Sequence, residues 1–61
     1  MSLFAVPAKN WTTALPTIID DCKDGDTILV ATEAMKEMAI RALHRLYPDK
    51  NVIVLVVPVE E

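Results

Sequence analysis

The residues with the clearest capacity for chemistry lie where a short apolar run meets a helical pattern, in the stretch AVPAKNWTT. Lys9 suits an anion, and the free N–H groups of a helix beginning just after it would help to bind the same ligand. Asn10 is polar, and Trp11, the only tryptophan, offers a flat stacking surface. Ligands of open α/β sheets bind beyond the carboxyl ends of the strands. We expect any small-ligand or anion site to combine Lys9, Asn10 and Trp11 with Thr32 and Glu33, across an oligomer interface.

The same stretch also has a purely structural interpretation, which the sequence favours. Trp11 would cover one side of the first helix, and Lys9 would be an ordinary solvated lysine. The position of a residue at a strand end is only an analogy with other folds, and analogy alone is weak support for a function.

A second charged group lies on one face of the second predicted helix and consists of Lys36, Glu37, Arg41, His44 and Arg45. Such a face could contact a partner protein, grip phosphates of a nucleic acid, or simply be solvated. Acidic residues interleave with the basic ones, and no aromatic platform for bases accompanies them. The formal net charge of -3 also repels nucleic acid. A solvated face or a protein partner is therefore favoured over nucleic acid.

The remaining reactive residues suggest no metal, cofactor or catalytic set. The acidic turn DDCKDGD does not fit a calcium loop, because counting from Asp20 places Cys22 at position 3 and Ala31 at position 12. Cys22 and His44 are the only cysteine and the only histidine. One cysteine and one histidine cannot form a disulfide or supply the four ligands of a structural zinc site within one chain. We interpret the turn as a solvated acidic patch and Cys22 as a small core residue.

The elements that position these residues follow the order β-α-β-α-β. The pattern predicts strands over residues 3–6, 27–31 and 51–57 and helices over about 12–23 and 33–47. Thr12 or Thr13 would cap the first helix and place Pro16 within its first turn, where proline is tolerated. Gly25 would be the left-handed residue that ends it. Thr32 would cap the second helix.

The second and third strands are apolar on both faces, which is typical of parallel strands in α/β proteins. If the strand order is 1-2-3, both helices lie on one face and the other face is bare. If it is 2-1-3, one helix covers each face. Both arrangements leave apolar surface and an open edge, and such an edge invites pairing with another chain. The sequence therefore predicts a homo-oligomer formed through the sheet face or an edge strand.

The segments NWTTALPTII, GDTILVATEAMKEMAIRAL and YPDKNVIVLVV together resemble the opening β-α-β-α-β of a P-loop NTPase of the helicase or phage-terminase kind. In that family, glycines let backbone N–H groups wrap the phosphates and a lysine reaches the outer ones. Here Thr12 and Thr13 fall on the threonine positions, but Asn10 stands at the glycine position and Trp11 at the lysine position. No Walker-B aspartate ends a strand. The resemblance thus implies an architecture, and we expect no nucleotide hydrolysis.

These observations lead to one preferred hypothesis and two alternatives. Residues 1–61 form a single small α/β domain with a three-stranded, mainly parallel sheet and two helices. We expect a cytoplasmic, non-catalytic interaction or regulatory module that self-associates and binds another protein, such as a phage or mobile-element accessory protein. The first alternative is the ligand-binding module or enzyme with a strand-end site, and the second binds nucleic acid through helix two. No signal peptide is predicted, because the start MSLFAVPAKN has no basic n-region and no long apolar h-region. No membrane span is predicted, because no apolar run approaches about 18 residues.

Overall fold

The computed structural model describes residues 2–58 and confirms the α/β class and the order β-α-β-α-β. Its elements are β1 (Leu3–Ala5), α1 (Trp11–Asp21), β2 (Thr27–Val30), α2 (Glu33–Leu46) and β3 (Ile53–Val56). Each strand is slightly shorter than predicted, although backbone hydrogen bonds continue past two of them. The Val6 N–H donates to the Leu29 carbonyl at 2.9 Å, and the Val57 N–H donates to the Val30 carbonyl at 2.7 Å.

The three strands form one parallel sheet in the order β1-β2-β3. This order selects the first of the two predicted arrangements. In register, Phe4, Ile28 and Val54 lie side by side, and this row faces the helices. The neighbouring row of Leu3, Thr27 and Ile53 faces away from them. Both helices therefore lie on one face of the sheet, and no described helix covers the other.

The core lies between the sheet and the two helices. Its largest fully buried side chains are Ile19 from α1, Ile28 and Val30 from β2, and Met35 from α2, together with Cys22 just after α1. Because both helices and the central strand contribute to one cluster, the core is a single layer. A chain of this length buries only about 60% of the surface that its unfolded form exposes, so this layer leaves little reserve of stability.

Helix α1 begins earlier than the sequence predicts. Its N-cap is Asn10, in the left-handed region at φ 61° and ψ 30°, and its first residue is Trp11. The predicted caps Thr12 and Thr13 are thus inside the helix, and Pro16 lies beyond its first turn. The prediction was wrong because it kept Pro16 within the first turn. In the structure, Pro16 lies inside the helix even though proline has no backbone N–H. The Thr12 carbonyl therefore lacks the intrahelical hydrogen bond that residue 16 would otherwise donate.

Helix α1 ends at Asp21, slightly earlier than predicted, and Cys22 caps it by donating its N–H to the Ile18 carbonyl at 3.0 Å. Gly25 does adopt a positive φ of 90°, but not as the residue that ends the helix. It lies in a turn closed by the hydrogen bond of 3.0 Å from the Asp26 N–H to the Lys23 carbonyl. A glycine at the third position of such a turn is what a type II turn requires.

Helix α2 matches its prediction closely at the N-terminus. The Thr32 hydroxyl accepts a hydrogen bond from the Met35 N–H at 3.2 Å, as a capping threonine does. Met35, Ala39 and Leu43 form the buried stripe. Helical periodicity would also place Met38 and Leu46 beside this stripe, but both are exposed.

Candidate functional site

The residues of the predicted strand-end site follow the carboxyl ends of β1 and β2, but they have different surroundings. Lys9 and Asn10 are exposed and line a shallow hollow on the outer side of α1. Trp11 is half-buried, packs against the core and lines a separate groove between the helices. Thr32 is the cap of α2, and Glu33 is exposed in the first turn of that helix. A ligand site built from these five residues stays a prediction.

The predicted partner face of α2 is divided by the way the helix packs. Arg41 and Arg45 are exposed and border the side of α2 that faces α1, where they line one hollow with Met38 and Leu46. His44 is also exposed but lines a small hollow with Ile40 on the other side of the helix. The basic residues thus point to two different surfaces.

Glu37 and Lys36 complete the predicted partner face. Glu37 is exposed, while Lys36 is half-buried. Helical spacing places Glu37 one turn before Arg41 on the solvent side. The only acidic residue of the predicted face is therefore next to one of its arginines rather than inside a pocket.

The acidic turn is only partly the solvated patch that the sequence predicted. Asp20, Asp21 and Asp24 are exposed, but Asp26 is buried at 4% exposure. Its carboxylate accepts hydrogen bonds from the Ser2 N–H at 2.7 Å and the Lys23 N–H at 2.9 Å. The backbone N–H groups of Lys23 and Ser2 lower the pKa of Asp26 below its usual value, because they stabilise the charged carboxylate. The carboxylate is thus a structural clamp.

Further polar contacts near the acidic turn connect the end of α1 to the segment between α2 and β3. Tyr47 donates its hydroxyl to the Asp20 carboxylate, and this hydrogen bond raises the pKa of Tyr47. The Lys50 ammonium lies 3.8 Å from the centroid of the Tyr47 ring. The Asn51 N–H donates to Asp24 at 2.8 Å. These contacts join segments that are far apart in the sequence, so each of these groups has a structural role.

Cys22 lies in the core, as predicted. Burial raises the pKa of its thiol, and the negative charge of Asp26 adds to the increase. A thiol that resists ionisation is a poor nucleophile, because the thiolate is the reactive form. In the part of the chain that the structure describes, no group of three His, Cys, Asp or Glu side chains is placed to hold a metal ion.

The second face of the sheet, which we call the bare face, is another surface that could contact a partner. Four of its side chains, Leu3, Ile53, Leu55 and Val57, are between 47% and 67% exposed. Ala5, Thr27 and Leu29 complete this face according to the strand register. It carries no charged residue within the described strands.

The fold and these surfaces define a small three-stranded parallel α/β protein with one apolar core and one bare sheet face. Comparison of the chain with protein-family models, with curated protein sequences and with solved structures finds no match. Among residues 2–58, no helix is long and apolar enough to cross a membrane.

Proposed function

We propose that this protein is a non-catalytic interaction module that self-associates through the bare face and acts by binding another protein. The observation that carries the proposal is the exposure of Leu3, Ile53, Leu55 and Val57 on a sheet face without a covering layer. Parallel sheets in α/β proteins are ordinarily covered on both faces. A missing layer therefore calls for a second surface to replace it.

A second copy of the chain fits this face by its chemistry. Two such faces can stack about 10 Å apart, with their side chains interdigitating as in a sheet sandwich. The face has no charge that would select a different, complementary partner. Leu55 lies on β3, an edge strand that pairs on one side only with β2, so the open edge can add contacts between copies.

The size of the bare face sets the expected strength of association. From strand spacing and residue rise, it measures roughly 15 Å by 15 Å. A standard protein interface buries about 800 Å² on each partner, which is more than this face supplies. We therefore expect a dimer that dissociates at low protein concentration, unless the edge strands also contribute.

Sedimentation velocity from low to high micromolar concentration tests self-association. The wild type is expected to shift from the mass of one chain to that of two. The variant Leu55→Lys places a charge on the bare face and should remain a single chain. Thr17→Lys is the matched control, because Thr17 is exposed on α1, away from the sheet.

Two results would contradict the proposal of self-association. One is a wild type that keeps the mass of a single chain throughout the range. The other is a Leu55→Lys variant that associates as the wild type does, since that would place the contact elsewhere.

The strand-end ligand site remains the alternative, and Trp11 provides its test. Because Trp11 is the only tryptophan, its fluorescence would respond to a ligand bound beside it. Titration with inorganic phosphate and with ATP is expected to leave the signal unchanged if the protein is only an interaction module. A saturable change that the Lys9→Ala variant abolishes would favour the alternative.

A further inference from the structure

We propose that the groove between the two helices binds an acidic amphipathic helix of a partner protein. We call it the interhelical groove. It encloses about 140 Å³, and its lining consists of Trp11, Thr12, Leu15, Pro16, Ile19, Met38, Ala42 and Leu46. The groove lies on the helical side of the molecule, whereas the bare face is on the other side of the sheet. The inference rests on the proposed function in one respect, which is that the protein acts by binding another protein.

Two apolar residues that α2 contributes to the groove are exposed, where a helix surface in contact with water would ordinarily be polar. Met38 is 47% exposed and Leu46 is 56% exposed, and Ala42 lies between them in the same row along α2. This row is about 12 Å long at 1.5 Å per residue. It can accommodate two to three turns of a second helix whose apolar residues recur at i, i+3 or i+4, and i+7. Methionine adapts its shape readily to such a ligand.

The charges beside the groove identify the kind of helix that fits. Arg41 and Arg45 are exposed and line the hollow that adjoins the groove along α2. The opposite wall carries Thr12 and Pro16, which are uncharged. A partner helix therefore needs acidic residues along one flank, where the two guanidinium groups can bind carboxylates in a bidentate manner. The chain itself has a net charge of -3, so this attraction is local and requires the partner's acids to be concentrated on that flank.

Other occupants fit the groove less well. A nucleic acid would use Arg41 and Arg45 but would leave the apolar surface of Met38 and Leu46 uncovered. Helix α1 of a second copy does not supply the required helix, because its exposed residues include Thr13 and Thr17 and its acids are confined to its C-terminal end. Helix α2 of a second copy carries Arg41 and Arg45 beside its own apolar row, so it is not the acidic helix that these two arginines would bind. The nucleic acid is an outcome of the test below. A second copy in the groove is an outcome of the sedimentation test above, in which the Leu55→Lys variant would then still associate.

A display library tests the chemistry of the partner without knowledge of its identity. The library is a helical peptide with fixed leucines in the apolar row and random residues on both flanks. It is selected against the wild type and, separately, against the Arg41→Glu/Arg45→Glu variant. Selection on the wild type should enrich Asp and Glu on one flank, and selection on the variant should enrich Lys and Arg there. Synthetic versions of the enriched peptides are then titrated, with Trp11 fluorescence as the signal.

The matched control carries the same change of charge elsewhere on the molecule. The Lys9→Glu/Lys36→Glu variant should bind the enriched acidic peptide within about twofold of the wild type, while Arg41→Glu/Arg45→Glu should weaken binding by at least about tenfold. Met38→Ser/Leu46→Ser should weaken it similarly without a change of charge. Circular dichroism of each variant confirms that the helices remain folded.

Three results would overturn the inference. The enriched peptides could lack an acidic flank, or both charge variants could lose binding equally. A single-stranded oligonucleotide could instead bind in an Arg41- and Arg45-dependent manner while the peptides do not. The self-association proposal is tested separately, because Leu55→Lys should abolish the dimer and leave peptide affinity intact. If the wild type dimerises but does not bind acidic peptides as expected, the groove proposal is wrong. If it binds these peptides but stays a single chain, the self-association proposal is wrong.

Discussion

At the scale of single residues, Asp26 has the most specific structural role in the described chain. Its carboxylate joins the Ser2 backbone to the Lys23 backbone, while its own carbonyl accepts the Ile53 N–H at 3.1 Å. One buried residue therefore connects the beginnings of all three strands. An acidic side chain at this point is stabilised by backbone donors, which favour its charged form.

We expect Asp26→Asn to lower the melting temperature by several degrees at neutral pH, because an amide is a weaker acceptor than a carboxylate. The pKa of Asp26 in the folded protein is lowered from its usual value of 3.8. Its stabilising effect is therefore fully present above 3.8 and is lost as the pH falls through the lower folded-state pKa. Thermal unfolding between acidic and neutral pH measures this loss.

Asp21→Asn is the control for Asp26→Asn, because Asp21 is an exposed aspartate at the nearby C-terminal end of α1. It should unfold at nearly the wild-type temperature throughout. Equal effects of the two substitutions would show that the general charge of the turn, rather than the clamp, is important.

Asn10 is the second residue whose conformation is informative. Its φ of 61° lies in the region that glycine occupies without strain. Asn10→Gly should therefore leave the free energy of unfolding unchanged or raise it slightly, while Asn10→Ala should lower it by about 1 kcal/mol. Urea denaturation of both variants measures the difference. A more stable alanine variant would contradict the assigned backbone conformation.

At the scale of elements, α1 contains a destabilising proline, and we expect its substitution to stabilise the protein. Pro16 lies inside the helix, where it provides no N–H for the Thr12 carbonyl. Pro16→Ala restores that donor and should raise the free energy of unfolding by roughly 1–3 kcal/mol, after allowance for the greater freedom of the unfolded chain. Chemical denaturation checks this. Thr17→Ala is the control, and a destabilised Pro16→Ala would mean that the ring is needed for packing in the groove.

The sequence predicted the type and order of every described element, because two amphipathic helices and two wholly apolar strands are strong local patterns. The predicted start of α1 was wrong. The prediction kept Pro16 within the first turn, where proline is tolerated, whereas the helix begins after the left-handed cap at Asn10. It could not choose between strand orders, because nothing local distinguishes a helix on one face of the sheet from a helix on the other.

The candidate sites were less predictable than the elements. Met38 and Leu46 fit the apolar face of α2 by periodicity, but in the fold they are exposed and line the groove between the helices. Asp26 looked like any aspartate of a turn, because its donors Ser2 and Lys23 are brought together only by the fold. Residues whose surroundings depend on distant backbone leave no signal in their own neighbourhood.

At the scale of the whole molecule, stability and association should be linked. A chain with one core layer gains stability when a second copy binds only the folded form. The melting temperature of the wild type should therefore rise with protein concentration. That of Leu55→Lys should stay constant, because this variant cannot form the dimer. Scanning calorimetry over a broad concentration range measures both, and a constant melting temperature for the wild type would argue against the dimer.

The parallel register has a consequence for how the chain folds. Leu3 pairs with Thr27 and Thr27 pairs with Ile53, so each strand pairing must close a loop of roughly two dozen residues before it gains any contact, and no hairpin can begin the sheet. The β2-α2-β3 half has the longer helix and the longer outer strand. It should form first and leave one edge of β2 open until β1 and α1 arrive. During refolding, Trp11 in the late half should therefore reach its native fluorescence after most of the helical signal has returned.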